Sequence, residues 1–306
     1  MNDQTAKPIR PPRLKPGDTI GIVAPAGPFD HDLFKQGLNA LQSMGFQTRV
    51  PDKIYDRSGY LAGSDEHRAR LLNQLFEEPR VQAIICARGG FGCLRMLPLV
   101  DFEIISAYPK IFVGFSDITA LLVAITRRSG LVTFHGPMVT SLATAPELTR
   151  CSLSAAITSD TSLAIAPAAG VVLQAGRTTG PVVGGNLATL CHLLGTPFEA
   201  GFEDHILLLE DCGEAPYRID RMLSQMKLAG SFNQIGGIIL GSFKDCGNLD
   251  EIYRIFQDSF QDLHIPILAG FEVGHGKLNL TIPVGMTATL DTNQQMLSFA
   301  QAATIG

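Results

Sequence analysis

The stretch Ile111-Phe112-Val113-Gly114-Phe115-Ser116-Asp117-Ile118-Thr119-Ala120-Leu121-Leu122-Val123 sets a serine between two different periodicities. The apolar, β-branched and aromatic run before Ser116 predicts a buried strand, and apolar residues recurring at helical spacing from Ile118 predict a helix. A serine on a sharp strand-to-helix turn projects its hydroxyl past the sheet. The next amide, that of Asp117, then lies at the positive end of the helix dipole. This suits a nucleophile beside an oxyanion hole. The stretch departs from G-x-S-x-G, since Ile118 stands where the second glycine would be, and a plain N-cap followed by an acidic first-turn residue accounts for the same residues.

Other segments end in chemically useful residues. A strand over Ala83-Ile84-Ile85-Cys86-Ala87 runs into Arg88-Gly89-Gly90-Phe91-Gly92. Glycines beyond the C-terminal end of a parallel strand allow positive φ and close backbone approach to a ligand. Backbone amides there can hold an oxyanion; a structural glycine turn or a dinucleotide loop reads the same, although G-G-x-G is not G-x-G-x-x-G. Leu131-Val132-Thr133-Phe134 leads to His135-Gly136-Pro137, read as a turn with a satisfied imidazole rather than a base. The strand His205-Ile206-Leu207-Leu208-Leu209 ends in Glu210-Asp211, two carboxylates at its mouth, either of them an ordinary strand-end cap or a group that orients a histidine. His275, between Gly274 and Gly276, has no bulky neighbours and can reach into a cleft.

The elements between these points alternate strand and helix. Thr19–Ala24 reads as a strand, followed by a helix whose buried face is predicted at Leu33, Leu38, Leu41 and Met44, and then by the strand Gln47–Val50. Ser64 opens a helix carrying Leu71, Leu72, Leu75 and Phe76. In the second half Gly184-Gly185-Asn186 precedes a helix from Leu187, Gly237–Gly241 reads as a strand and Leu249 to Phe260 as an amphipathic helix. The intervening Ser/Thr/Ala/Pro-rich passage loses this pattern.

At 306 residues the chain fits two domains of roughly 150 residues. A net charge of −5 without a Lys/Arg cluster excludes the electrostatic footprint of a nucleic-acid binder, and a small molecule or peptide is the expected ligand. Met1 to Leu14 is polar and proline-rich, unlike a signal peptide, and no run approaches the ~18 apolar residues of a spanning helix. The expectation is a cytoplasmic protein with no membrane partner. Six cysteines without a C-x-x-C pair point to reduced thiols; neither metal nor cofactor is expected.

Taken together, Arg88-Gly89-Gly90-Phe91-Gly92, Gly114-Phe115-Ser116-Asp117, Gly184-Gly185-Asn186-Leu187, Leu209-Glu210-Asp211 and Gly274-His275-Gly276 resemble the LD-carboxypeptidases, serine peptidases of bacterial murein recycling, over nearly the whole chain. The same superfamily includes the microcin C immunity peptidases. The resemblance implies an α/β protein with a flavodoxin-like parallel-sheet N-terminal domain over 1–145, a linker over 146–180 and a smaller mixed β/α C-terminal domain over 181–306. It implies Ser116 as nucleophile, His275 as general base and Glu210 as the residue orienting it. The amides of Asp117 and Gly90 would form the oxyanion hole, and the assembly would be a homodimer. Phe91 departs from the Tyr that relatives often carry there.

The expected substrate is a peptidoglycan-derived peptide, a murein tetrapeptide losing its terminal D-alanine. Candidate substrate contacts are Arg88, Gly89, Phe91 and Lys277, the two cations because a terminal carboxylate needs such donors. The alternatives are a microcin-type peptidase acting on aminoacyl-nucleotide conjugates and a non-catalytic ligand-binding α/β module. A nucleobase needs an aromatic platform; the chain has no Trp, and the stretch from Ala143 to Gly180 has no aromatic residue.

Overall fold

The computed structural model describes residues 8–306, so the reading of the extreme N-terminus falls, for residues 1–7, outside the described residues. The strands β1 (Thr19–Val23), β2 (Gln47–Arg49), β3 (Ala83–Cys86), β4 (Ile111–Gly114) and β5 (Thr133–His135) form a parallel sheet in the order β2-β1-β3-β4-β5. This is the flavodoxin-like order, whose ligands sit beyond the strand ends where the winding reverses, between β1 and β3. Here the loops after those two strands meet, the Gly27 N–H donating to the Gly89 carbonyl at 3.1 Å.

The second sheet is mixed. It uses β6 (Ala164–Ile165), β7 (Val171–Gln174), β8 (Arg177–Asn186), β9 (Ile206–Cys212), β10 (Gly237–Lys244) and β11 (Ile267–Ala269). After β11 the chain returns to the first sheet, where β12 (Ile282–Val284) pairs antiparallel with β5. It then goes back to the second sheet as β13 (Thr287–Asp291) and β14 (Met296–Phe299). The order is β6-β14-β13-β8-β9-β10-β11-β7, with β8 to β11 parallel.

Both faces of the central strands are covered, which is why they read as unbroken apolar runs rather than alternating ones. Ile84, Phe112, Leu207 and Leu240 pack into one apolar cluster, and their neighbours Ile85, Val113, Leu208 and Ile239 into another on the opposite face. Each cluster draws on both sheets, so the two halves share their core and hold a fixed relation.

Three expectations change. Residues 146–180 are not a plain linker. They contain the helix Glu147–Thr158 and then β6 and β7, the two edge strands of the second sheet. The Ser, Thr, Ala and Pro residues that blur the periodicity there do not prevent regular structure. The helix His31–Ser43 buries Phe34, Gly37 and Leu41 while Leu33 stays 38% exposed, because Gly37 rests on the Val139 carbonyl, where a Cβ would come within 1.8 Å. Finally, β9 continues through Glu210 and Asp211 to Cys212, so both carboxylates are buried within a strand instead of lying at its mouth.

Candidate active site

Ser116 lies one residue, Phe115, beyond β4 and opens the turn Ser116–Ile118 that feeds the helix Thr119–Ser129. Its φ is +64°, the left-handed region that costs a residue with a Cβ about 1–2 kcal/mol. That conformation turns the chain sharply enough to bring the hydroxyl out of the sheet. The Asp117 amide is one of the first-turn N–H groups that a helix leaves without an internal partner. The Asp117 carboxylate points the other way, accepting from the Cys93 amide at 2.8 Å. This bond ties the serine turn to the glycine loop; burial raises the Asp117 pKa, while the Cys93 contacts and the charge of Arg68 work against that rise.

The glycine loop is shaped around Ser116. A Cβ on Gly89 would lie 2.9 Å from the Ser116 Cβ and 3.0 Å from its Oγ. Gly90 has φ +117°, and its N–H donates to no acceptor among the described residues. The fully buried Arg68 holds the loop from below, donating to the carbonyls of Pro25 and Gly92 and to Asp65. The amides of Gly90 and Asp117, each next in the chain to a residue of this Gly89–Ser116 contact, donate to no acceptor among the described residues.

Glu210 and His275 come together from different segments. Glu210 Oε2 accepts from His275 Nδ1 at 2.7 Å and from the His275 backbone N–H at 3.2 Å. With Nδ1–H donating to the carboxylate, Nε2 carries the free lone pair. Gly274, at φ +99°, permits the approach, since a Cβ there would stand 2.2 Å from Glu210 Oε2. The loop is pinned by the Gly274 N–H to Asn279 Oδ1 and the Gly276 N–H to Ser242 Oγ, both at 2.9 Å. The Asn279 amide in turn donates to Thr149 Oγ1 at 3.1 Å, so the helix inside the expected linker braces the histidine.

Burial of the His275 ring opposes protonation, but the hydrogen bond and charge of Glu210 outweigh it and leave the pKa above its ordinary 6.5. The Phe115 ring stands nearly edge-on to the imidazole, centroids 4.9 Å apart. Among the described residues both hydrogen bonds of His275 go to Glu210, and Phe115, the residue before Ser116, packs against its ring.

The other candidates sit at the rim. Arg88 is exposed and gives one Nη1 bond to the Pro28 carbonyl at 2.7 Å, leaving the rest of its fork unused. Lys277 is exposed two residues past His275. Phe91 is 47% exposed and pairs with Tyr60, ring centroids 5.8 Å apart; nothing local marks Tyr60, which arrives from another loop. Sequence reading also misses Asp211 as an anchor. Its carboxylate takes the Asn186 side chain and the Ala188 amide, each at 2.9 Å, and the Cys212 amide at 2.8 Å, with burial lifting its pKa to about 6. Asn186 also takes the Thr119 hydroxyl as acceptor for its amide at 3.0 Å, joining the serine helix to β8. His135, expected to be satisfied, is fully buried, and neither ring nitrogen has a hydrogen-bond partner among the described residues.

No group of three or more His, Cys, Asp or Glu placed to hold a metal occurs among the described residues, and no helix there is long and apolar enough to cross a membrane.

Known proteins are similar to this chain along nearly its whole length. A Streptomyces coelicolor relative is 39% identical, covering 96% of this chain and 97% of its own. The murein tetrapeptide carboxypeptidase of Pseudomonas aeruginosa is 33% identical over 96% of this chain and 97% of its own. The solved structure of the microcin immunity protein MccF in complex with glutamyl sulfamoyl guanosine superposes with a TM-score of 0.90 at 27% identity, covering 97% of this chain and all of that one. Residues 20–136, which include Ser116, match the LD-carboxypeptidase N-terminal domain, and residues 179–290, which include Glu210 and His275, match the LD-carboxypeptidase C-terminal domain. With both domains matched in order and relatives aligned along nearly its full length, this chain belongs to the LD-carboxypeptidase family.

Proposed function

We propose that this protein is a serine-type LD-carboxypeptidase that releases the terminal D-alanine of murein tetrapeptides in peptidoglycan recycling, with Ser116 as nucleophile, His275 as base and Glu210 orienting it. The observation that carries the reading is the Glu210–His275 bond of 2.7 Å, in the same fold as a serine held at φ +64° beside two free amides. A non-catalytic binding module has no use for that combination. In this reading residues 1–145 supply the nucleophile and residues 181–306 the base and its carboxylate, with 146–180 joining them.

His275 Nε2 removes the Ser116 proton as the hydroxyl attacks the scissile carbonyl. The amides of Asp117 and Gly90 receive the developing oxyanion, each donor worth roughly 3–4 kcal/mol in the transition state. The protonated imidazole, stabilised by Glu210, returns its proton to the departing D-alanine amine; water, deprotonated by the same nitrogen, then frees the acyl-enzyme. Arg88 and Lys277 are the cations proposed for the terminal carboxylate, Arg88 through its unused guanidinium donors. Gly89 leaves room beside the hydroxyl, and Phe91 supplies an apolar wall.

The second reading, cleavage of aminoacyl-nucleotide conjugates, draws on the exposed Phe91–Tyr60 pair, a surface on which a base can stack. Incubation with a murein tetrapeptide and, separately, with a processed microcin C analogue, followed by mass spectrometry, tests both. D-Alanine release is expected to dominate; efficient cleavage of the nucleotide conjugate alone would overturn the assignment. The same reading includes a cytoplasmic homodimer, checked by fractionation and by light scattering.

A further inference from the structure

Buried polar atoms in folded proteins nearly always find a hydrogen-bond partner. Seven buried side-chain atoms among the described residues have none, and five of them belong to residues around the Glu210–His275 pair: both ring nitrogens of His135, Glu210 Oε1, Asn279 Nδ2 and Thr281 Oγ1. The remaining two, Arg68 Nε and Ser231 Oγ, lie elsewhere. The clustering argues for a function rather than for scattered misfits.

The fold brings these atoms to one place. His135 ends β5 and pairs with Ile282, the residue after Thr281. A Cβ on Gly136 would sit 2.8 Å from Thr281 Oγ1, and one on Gly185 would sit 3.2 Å from His135 Cδ2, so a side chain at either glycine would crowd these groups. The Phe115 ring is near both imidazoles, with centroids 6.0 Å from His135 and 4.9 Å from His275. The charged groups facing His135 are Glu210, from β9, and His275; those facing His275 are Glu210 and Asp211, also from β9, and Lys244 from β10.

The chemistry of the orphans is complementary. Burial pushes the His135 pKa down to about 4, so the ring is neutral in the range where His275 works and offers one N–H donor and one acceptor. Glu210 Oε1 only accepts. Its partner oxygen, Oε2, is fully engaged by His275, and the residue is 0% exposed. A carboxylate oxygen desolvated there without a donor is costly.

We propose that His135 is a positioning residue for the Glu210–His275 pair, its neutral imidazole donating through one buried water to Glu210 Oε1. A polar, enclosed site lined by several such groups is where internal water resides. The donor keeps the Glu210 carboxylate in the orientation that presents Oε2 to His275. The inference rests on the reading of Ser116, Glu210 and His275 as the catalytic residues.

The test replaces His135 in the full chain. His135→Phe removes the donor, whereas His135→Gln keeps an N–H group. Activity is followed as D-alanine release against pH, after thermal melts have established folding. For His135→Phe, kcat is expected to fall about 10- to 100-fold, as when residues supporting a reactive group are lost, with KM within about twofold. Its acid limb in kcat/KM should move to lower pH, because a carboxylate no longer held toward His275 raises the imidazole pKa less. His135→Gln should restore most of the rate and the limb. A folded His135→Phe enzyme with wild-type kcat and acid limb overturns the proposal. Should that variant not fold, imidazole 15N shifts of His135 decide in the intact wild type and in Glu210→Gln. A changed His135 N–H signal supports the link, and identical signals sink it. The spectroscopic arm needs no turnover, so its result stays distinct from a failure of the wild-type enzyme to release D-alanine.

Discussion

Glu210 holds His275 at two points with one oxygen, the ring Nδ1 at 2.7 Å and the backbone N–H at 3.2 Å. The two bonds together fix the ring plane and the position of the loop that carries it. In Glu210→Gln an amide replaces the carboxylate, and the tautomer with Nε2 free is no longer enforced. Turnover should drop by roughly 10³–10⁴-fold, as when the aspartate of a serine-protease triad is neutralised. Steady-state D-alanine release measures this, and a loss below tenfold would remove Glu210 from the mechanism.

The pH profile follows from the same pair. His275 must be neutral to accept the Ser116 proton, and its pKa is raised above 6.5. Activity should therefore fall as pH drops through a value above 6.5 and be restored on raising it. Glu210→Gln removes the cause of the rise, so the residual activity should show its acid limb at lower pH than wild type. A limb that does not move would separate His275 from Glu210.

Ser116 carries backbone strain that can be measured independently of chemistry. Ser116→Ala keeps a Cβ at φ +64° and should abolish turnover with stability near wild type. Ser116→Gly, equally inactive, relieves the left-handed conformation and should be more stable than Ser116→Ala by about 1 kcal/mol. Urea denaturation of the two variants provides the comparison, and a less stable glycine variant would show that the turn is unstrained.

Two glycines separate steric from conformational demands. Gly89→Ala places a methyl 2.9 Å from the Ser116 Cβ. It should leave the fold intact while lowering kcat on the order of 10²-fold, the cost of displacing a reacting group by about 1 Å. Gly274→Ala adds a positive φ to a 2.2 Å clash with Glu210 Oε2. That variant should lose about 1–3 kcal/mol of stability as well as activity. Thermal melts beside kinetics distinguish the two patterns.

Thr149 lies in the helix Glu147–Thr158, yet its hydroxyl accepts from the Asn279 amide that anchors the His275 loop. Thr149→Val leaves a buried donor unpaired and should cost about 1–3 kcal/mol. The rate should also fall, although Thr149 belongs to none of the segments recognisable as catalytic. Wild-type kinetics in this variant would mean that the helix braces the fold alone.

How much of this was legible depended on range. The strand before Ser116 and the capped helices appear in local spacing. The Asn248 cap of Leu249–Phe260 and the Ser64 cap of Asp65–Glu77 are hydrogen bonds within three residues. Likewise the glycines at 89 and 90 announced a close approach, though not what would approach, while those at 185 and 274 read only as a turn and as bare flanks of a histidine. Tyr60 against Phe91, Asp211 under Asn186, Thr149 behind Asn279 and His135 behind Glu210 have no such local signal, because each partner lies on another segment.

By itself the sequence determined the alternation of strands and helices, the serine turn and the family motifs, all of which are set by neighbours a few residues apart. The tertiary structure decided that Glu210 is buried inside a strand, that Gly274 is bare so that a carboxylate can reach His275, and that residues 146–180 support the site. It also left His135 buried without a partner in the protein. These depend on which strands lie side by side, and that pairing is fixed by burying both faces of two sheets in a shared core, a condition on the whole chain that no single stretch contains.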